Sequence, residues 1–183
     1  MNNTPSEVSQ KKPMIREGHL LMFMAEAYAL AERSHAKDLK VGALLVEPQH
    51  DGTHRVISDG YNGTEPGESN CCEDEHGESL PNVIHAERNV FRKIKRVKES
   101  AAGCWLFVTR SPCERCVERL LAEKVAAVIY CEEHRCQKPM NTLREKGLHL
   151  QQVDKNDMIA YFDSISRRLR QPKFNECTDK SYR

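Results

Sequence analysis

The chain has 183 residues, enough for one domain with a sizeable core and ordinary tails. Its 28 Lys and Arg against 27 Asp and Glu leave a formal net charge of +1, which favours neither a polyanionic partner nor an anionic membrane. The apolar run Leu20 to Leu30 is broken by Glu26 and is too short to span a bilayer, so no membrane partner is expected.

Residues 1–18 read as a mobile tail, polar and without an apolar period through Pro13. Lys11-Lys12 runs into Pro13 rather than into an apolar core, so the stretch does not read as a signal peptide. Eight cysteines without an export signal then point to a reducing, cytoplasmic compartment and to metal binding rather than disulfides. Residues 19–169 read as one domain. A helix is predicted from His19 to His35, with Leu20, Phe23, Met24, Ala27, Tyr28 and Ala31 forming one buried stripe.

Val41 to Val46 reads as a buried strand, Pro48 to Gly52 as a turn, and Arg55 to Asp59 as the strand that pairs back. Gly60-Tyr61-Asn62-Gly63 follows. Glycines on both sides of a polar Asn suggest either a tight turn that lets backbone approach a ligand or an ordinary turn. Thr64 to Asn82 is a long polar loop, of the kind that is usually functional or pinned.

A second helix is predicted from His85 to Lys98, with Val90, Phe91, Ile94 and Val97 inward and a basic, solvated outer face. Strand, helix, strand, helix and strand follow over Cys104 to Thr109, Cys113 to Lys124, Val125 to Cys131, Pro139 to Lys146 and Leu148 to Val153. Pro112 is placed to open the helix at Cys113, and Gly147 to stop the one at Lys146. A closing helix over Asn156 to Leu169 should turn Met158, Ile159, Phe162, Ile165 and Leu169 inward, and 170–183 reads as a loose tail. Strands alternating with helices after a hairpin imply an α/β fold with a largely parallel sheet under covering helices.

Two stretches carry the chemistry: His85-Ala86-Glu87, and Ser111-Pro112-Cys113-Glu114-Arg115-Cys116. Zn²⁺ favours imidazole and thiolate ligands, and a catalytic zinc keeps one of four positions for water. His85, Cys113 and Cys116 supply three ligands and leave Glu87 free as acid and base. Each half is weak alone, since Cys-x-x-Cys also serves redox and structural zinc sites. Together they are the His-x-Glu…Pro-Cys-x-x-Cys signature of zinc-dependent nucleobase deaminases. Both stretches fall at predicted helix starts, where the positive end of the macrodipole favours thiolate and hydroxide.

With Val41-Gly42-Ala43, Gly60-Tyr61-Asn62-Gly63, His85 to Asn89, Val108 to Cys116 and Tyr130-Cys131-Glu132, the chain resembles the bacterial and phage deoxycytidylate (dCMP) deaminases of the cytidine-deaminase-like superfamily. The resemblance covers roughly Leu20 to Val153. It implies a three-layer α/β/α sandwich with a five-stranded mixed sheet, and hydrolysis of dCMP to dUMP and ammonia, feeding thymidylate synthesis. In that chemistry zinc-bound hydroxide attacks the pyrimidine C4, and Glu87 carries the proton from water to the ring nitrogen.

The resemblance further implies substrate contacts from Asn62, the Ala86 backbone and Ser111. Asn62 is implied to contact the nucleotide sugar or phosphate; for the phosphate, Asn62 with the neighbouring glycine backbone is the first candidate and Arg110 a weaker second. A regulatory nucleotide site, dCTP activating and dTTP inhibiting, is implied near Gly60, Tyr61 and Gly63 and at Arg96, commonly in a hexamer. The chain departs from phage relatives at Val90, Phe91, Arg92 and Lys93, which replace an alanine-rich helix, and at His134, where some relatives place a tyrosine.

Two further groups, Cys71, Cys72 and His76, and Cys131, His134 and Cys136, are either a second structural zinc site or loop residues without metal. Two other functions compete. A polynucleotide cytidine deaminase would need a basic, aromatic-lined channel. The only tryptophan, Trp105, falls within a strand, and Arg110 rather than an aromatic precedes Ser111. A non-enzymatic zinc module has no use for Glu87.

Overall fold

A computed structural model describes residues 15–94 and 100–170. The elements are α1 (Glu17–Ala31), β1 (Gly42–Pro48), β2 (His54–Tyr61), α2 (Ala86–Ile94), β3 (Trp105–Arg110), α3 (Glu114–Ala122), β4 (Ala127–Glu132), α4 (Lys138–Glu145), β5 (His149–Gln152) and α5 (Lys155–Arg170). They form one mixed sheet of five strands in the order β2-β1-β3-β4-β5. β1 pairs antiparallel with both β2 and β3. The pairs β3–β4 and β4–β5 are parallel, and α3 and α4 are the crossovers that parallel neighbours require.

Helices cover both faces, which makes the sandwich three-layered. On one face Val90, Phe91, Val117, Leu120, Met140 and Leu143 of α2, α3 and α4 pack on Ala43, Leu45, Leu106, Val108, Val128 and Tyr130. On the other, Leu20, Phe23, Met24 and Ala27 of α1, with Met158 of α5, pack on Leu44, Val46, Phe107, Ala127 and Ile129. β1 is buried from both sides, so its apolar residues run continuously instead of alternating.

Two glycines set how closely the layers approach. A Cβ on Gly42 would strike the Ala27 carbonyl of α1 and sit 2.7 Å from the Ala31 nitrogen. A Cβ on Gly60 would sit 2.5 Å from the Ala86 carbonyl and 2.8 Å from the Val90 nitrogen of α2. Gly42 and Gly60 are near-neighbours across the β1–β2 ladder, so both helices cross the sheet at the same place.

Gly60-Tyr61-Asn62-Gly63 is therefore not the tight turn suggested by its glycines. Gly60 and Tyr61 complete β2, and none of the four has a positive φ. Gly60 is small because α2 lies on it.

Helix α1 starts two residues before His19 and ends at Ala31, short of His35. The Ser34 hydroxyl turns away to donate to the Asn62 carbonyl and accept from the Ala36 N–H, which draws the chain out of the helix. Pro112 does not begin α3. Cys113, in extended conformation, caps the helix, and the first helical residue is Glu114. The inward stripe expected on α5 fails after Met158. Ile159, Phe162 and Leu169 are 52%, 40% and 77% exposed, because α5 packs chiefly along α1 rather than on the sheet. The long loop is pinned by a short antiparallel bridge, Glu73–Ser79, and by a small cluster of Ala36, Cys72 and Val83.

Candidate metal centre and active-site pocket

Three local structures bring the two sequence stretches together. Gly63 and Ile84 form an antiparallel bridge, exchanging hydrogen bonds of 3.1 and 2.8 Å. This hands His85 to the start of α2, directly beside the end of β2. Asn89, one turn into α2, donates to the Tyr61 carbonyl at 3.0 Å and ties helix to strand again. Strand β3 then delivers Ser111 to Cys113 at the parallel end of the sheet, where α3 begins.

His85, Cys113 and Cys116 converge with their ligand atoms within 4.8 Å of one another. His85 Nδ1 lies 3.4 Å from Cys113 Sγ and 3.3 Å from Cys116 Sγ. Zn–S and Zn–N bonds of about 2.3 and 2.0 Å in tetrahedral geometry place ligand atoms about 3.5 Å apart. The donor triangle therefore fits zinc in both chemistry and spacing. Among the described residues it is the one group of three such donors this close.

The two thiols share their protons unequally. The hydrogen bond from Cys116 holds Cys113 down to about 3, and the same contact with burial pushes Cys116 up. The Cys113 hydrogen bond raises His85. A metal entering this site displaces the protons that the sulfurs and imidazole still hold.

Glu87 does not belong to the triangle. It projects from the first turn of α2 and is 4% exposed. Burial raises its carboxyl above the usual range, which is what a group that must both accept and return a proton near neutrality requires. Glu87, His85 and Cys113 line a cavity of about 640 Å³, within the ordinary range for small-molecule sites.

Asn62, Ala86, Ser111 and Arg110 line the same cavity, each in a different state. Asn62 is buried and holds the neighbouring loop: its Oδ1 accepts from Val41 N–H at 2.8 Å and its Nδ2 donates to the Leu39 carbonyl at 2.8 Å. One Nδ2 hydrogen remains for a ligand. Ser111 accepts the His134 N–H at 2.7 Å, which holds the β4–α4 loop over the site and leaves its own O–H to donate. Ala86 is fully buried at the helix start, where backbone N–H groups lack intrahelical partners. Arg110 has its Nε buried with no hydrogen-bond partner.

Tyr61 points elsewhere. Its ring carries Arg33 at 5.2 Å and Lys93 at 5.8 Å, and Lys93 pairs with Asp59 at 2.7 Å. Arg96 lies outside the described residues. Among the described residues the two further groups do not close into a second set of three donors. Cys72 is buried in the loop's own cluster, Cys71 and His76 are exposed, and Cys131 is in the core under α1. His134 and Cys136 line the cavity, the Cys136 N–H donating to His134 Nδ1 at 3.1 Å.

The structural roles of Asn89 and Ser34 do not follow from local sequence; the one signal for Asn89 is an uncharged polar side chain in an otherwise charged and apolar helix.

The model of the cytidine and deoxycytidylate deaminase zinc-binding region matches residues 19–132, well over half of the chain. The chain belongs to this deaminase family.

Among the deaminase's relatives is the dCMP deaminase of cyanophage S-TIM5, solved with dCMP and dUMP. It is 32% identical, with a TM-score of 0.69 over 76% of this chain and all of that one. ComE operon protein 2 of Bacillus subtilis is 30% identical over 145 residues, covering 75% of this chain and 72% of its own. The deoxycytidylate deaminase of Mycobacterium phage D29 is 32% identical over 125 residues, 61% of this chain and 92% of that protein.

Proposed function

We propose that this deaminase hydrolyses dCMP to dUMP and ammonia, supplying a precursor for thymidylate synthesis in the cytoplasm. The observation that carries the reading is the donor triangle of His85, Cys113 and Cys116 beside a buried Glu87 outside that triangle, with His85, Cys113 and Glu87 lining one cavity of about 640 Å³. The similarity to a phage enzyme solved with dCMP and dUMP supports this substrate.

When bound by the three donors, zinc makes water a competent nucleophile near neutral pH. The chain's residues do the rest. Glu87 takes the proton of the attacking water and delivers it to the ring nitrogen N3, which makes C4 electrophilic. A C4–O bond forms, Glu87 takes the remaining proton of the new C4 hydroxyl and passes it to the amino group, and the C4–N bond breaks with loss of ammonia as the C4 carbonyl forms. The backbone N–H of Ala86 and the Ser111 hydroxyl hold the pyrimidine. The spare Nδ2 hydrogen of Asn62 meets the sugar.

Trp105 is 6% exposed and lies against His54, so no tryptophan supports stacking of single-stranded nucleic acid. Among the described residues no helix is long and apolar enough to cross a membrane.

Assembly and regulation join the proposal on the resemblance: a homo-oligomer, as a hexamer, with dCTP and dTTP as effectors near Gly60, Tyr61 and Gly63. The exposed Ile159 and Leu169 of α5 support contact between copies. The test is a deamination screen over cytosine nucleosides and nucleotides, followed by ultraviolet absorbance, with and without dCTP and dTTP. The reading expects dCMP to be the best substrate. Faster turnover of single-stranded DNA would overturn it.

A further inference from the structure

Four cations line the cavity: Arg110, Arg115, Arg135 and Lys138. Two are already neutralised. Arg135 pairs with Glu78 at 3.0 Å, and Lys138 with Glu114 at 2.9 Å. Arg115 is exposed on the first turn of α3, in water's reach. Arg110 differs from all three. It is half-buried at the end of β3, next to Ser111, and its Nε is withdrawn from solvent without an acceptor.

A buried donor without an acceptor is costly, and such an atom in a native site calls for an explanation. The guanidinium is always charged and offers a planar fork matched to phosphate oxygens. The residue to which a resemblance would first assign the phosphate, Asn62, has its oxygen and one amide hydrogen committed to Val41 and Leu39.

We infer that Arg110 binds the 5′-monophosphate of the substrate and so makes the site select free nucleotides over nucleosides. This rests on the dCMP reading above, and it assigns the discrimination to one residue. Arg110→Gln keeps a donor of reduced reach and removes the charge. Arg110→Lys keeps the charge and removes the fork.

The experiment measures kcat/KM for dCMP and for deoxycytidine on wild type and both variants, together with the Kd of dUMP and the melting temperature. Charge-assisted hydrogen bonds set the scale, so Arg110→Gln is expected to lose about 10- to 100-fold on dCMP, mostly in KM. Turnover of deoxycytidine should be unchanged. The dUMP Kd should rise in proportion, with Arg110→Lys falling between. Because Arg110 spends its buried Nε on no protein group, neither variant should melt lower than wild type.

Equal losses on dCMP and deoxycytidine, or a lowered melting temperature, would make Arg110 a structural residue and overturn the inference. So would unchanged dCMP kinetics. A wild-type protein that releases no ammonia from dCMP overturns the underlying reading instead, a result visible before any variant is made.

Discussion

Glu87→Gln isolates the proton transfer. The substitution keeps the side chain's length and one carbonyl oxygen, and removes only basicity. In the structure the side chain is almost wholly buried, so an isosteric amide keeps its packing. None of the three metal donors belongs to residue 87, so zinc content should remain at one per chain.

General acid–base catalysis is typically worth about 10² to 10⁴ in rate. One group here serves as acceptor from water and donor to the base, and at 4% exposure bulk water has little access to replace it. A loss of about 10⁴ or more in kcat is therefore expected. Zinc by elemental analysis, melting temperature, dCMP binding and ammonia release are measured on one preparation. Zinc retained, fold retained, dCMP bound and ammonia lost is the expected pattern. Turnover within tenfold of wild type refutes the shuttle, and loss of zinc or of stability would mean that Glu87 is structural.

Removing the metal from wild type also exposes a pH effect. Burial raises the Glu87 carboxyl, so the folded chain holds that proton more tightly than the unfolded chain does. Such a group destabilises the fold above its folded pKa and has no effect below its unfolded one. Metal-free Glu87→Gln should therefore melt higher than metal-free wild type at neutral pH, with the gap closing as pH falls below the ordinary carboxylate range. A gap that widens on acidification would reverse the assigned direction. Cys113→Ser should abolish stoichiometric zinc and lower the melting temperature, because metal affinity is linked to folding. Full zinc in that variant counts against the ligand set. Gly60→Ala forces a methyl group against backbone atoms of α2 and should cost about 1–3 kcal/mol in denaturant unfolding. It should also reduce turnover, since α2 carries Glu87. A variant as stable and active as wild type would show that the helix can shift freely.

The chemistry of this chain is local in sequence. His-x-Glu and Pro-Cys-x-x-Cys specify a donor set by residue type and spacing, and the hairpin, the helices and the strands follow from apolar period and turn residues. These stretches were legible because short-range sterics and hydrophobic patterning act within a few residues.

Other features depended on contacts between distant segments. Gly60 looked like a turn residue, yet its smallness answers to α2, some 26 to 30 residues away in sequence by the contacts at Ala86 and Val90. Asn62 reads from the sequence as a polar residue open to a ligand, and only the fold shows that its oxygen and one amide hydrogen also hold Val41 and Leu39. The apolar period of α5 promised burial that packing on α1 does not supply. Arg110 differs from the pocket's paired or exposed cations in its buried, unpartnered Nε, a property that the sequence does not record. A sequence records which side chains can bond or bury, but the partner that each one meets is set by the packing of separate layers, and only the tertiary structure decides it.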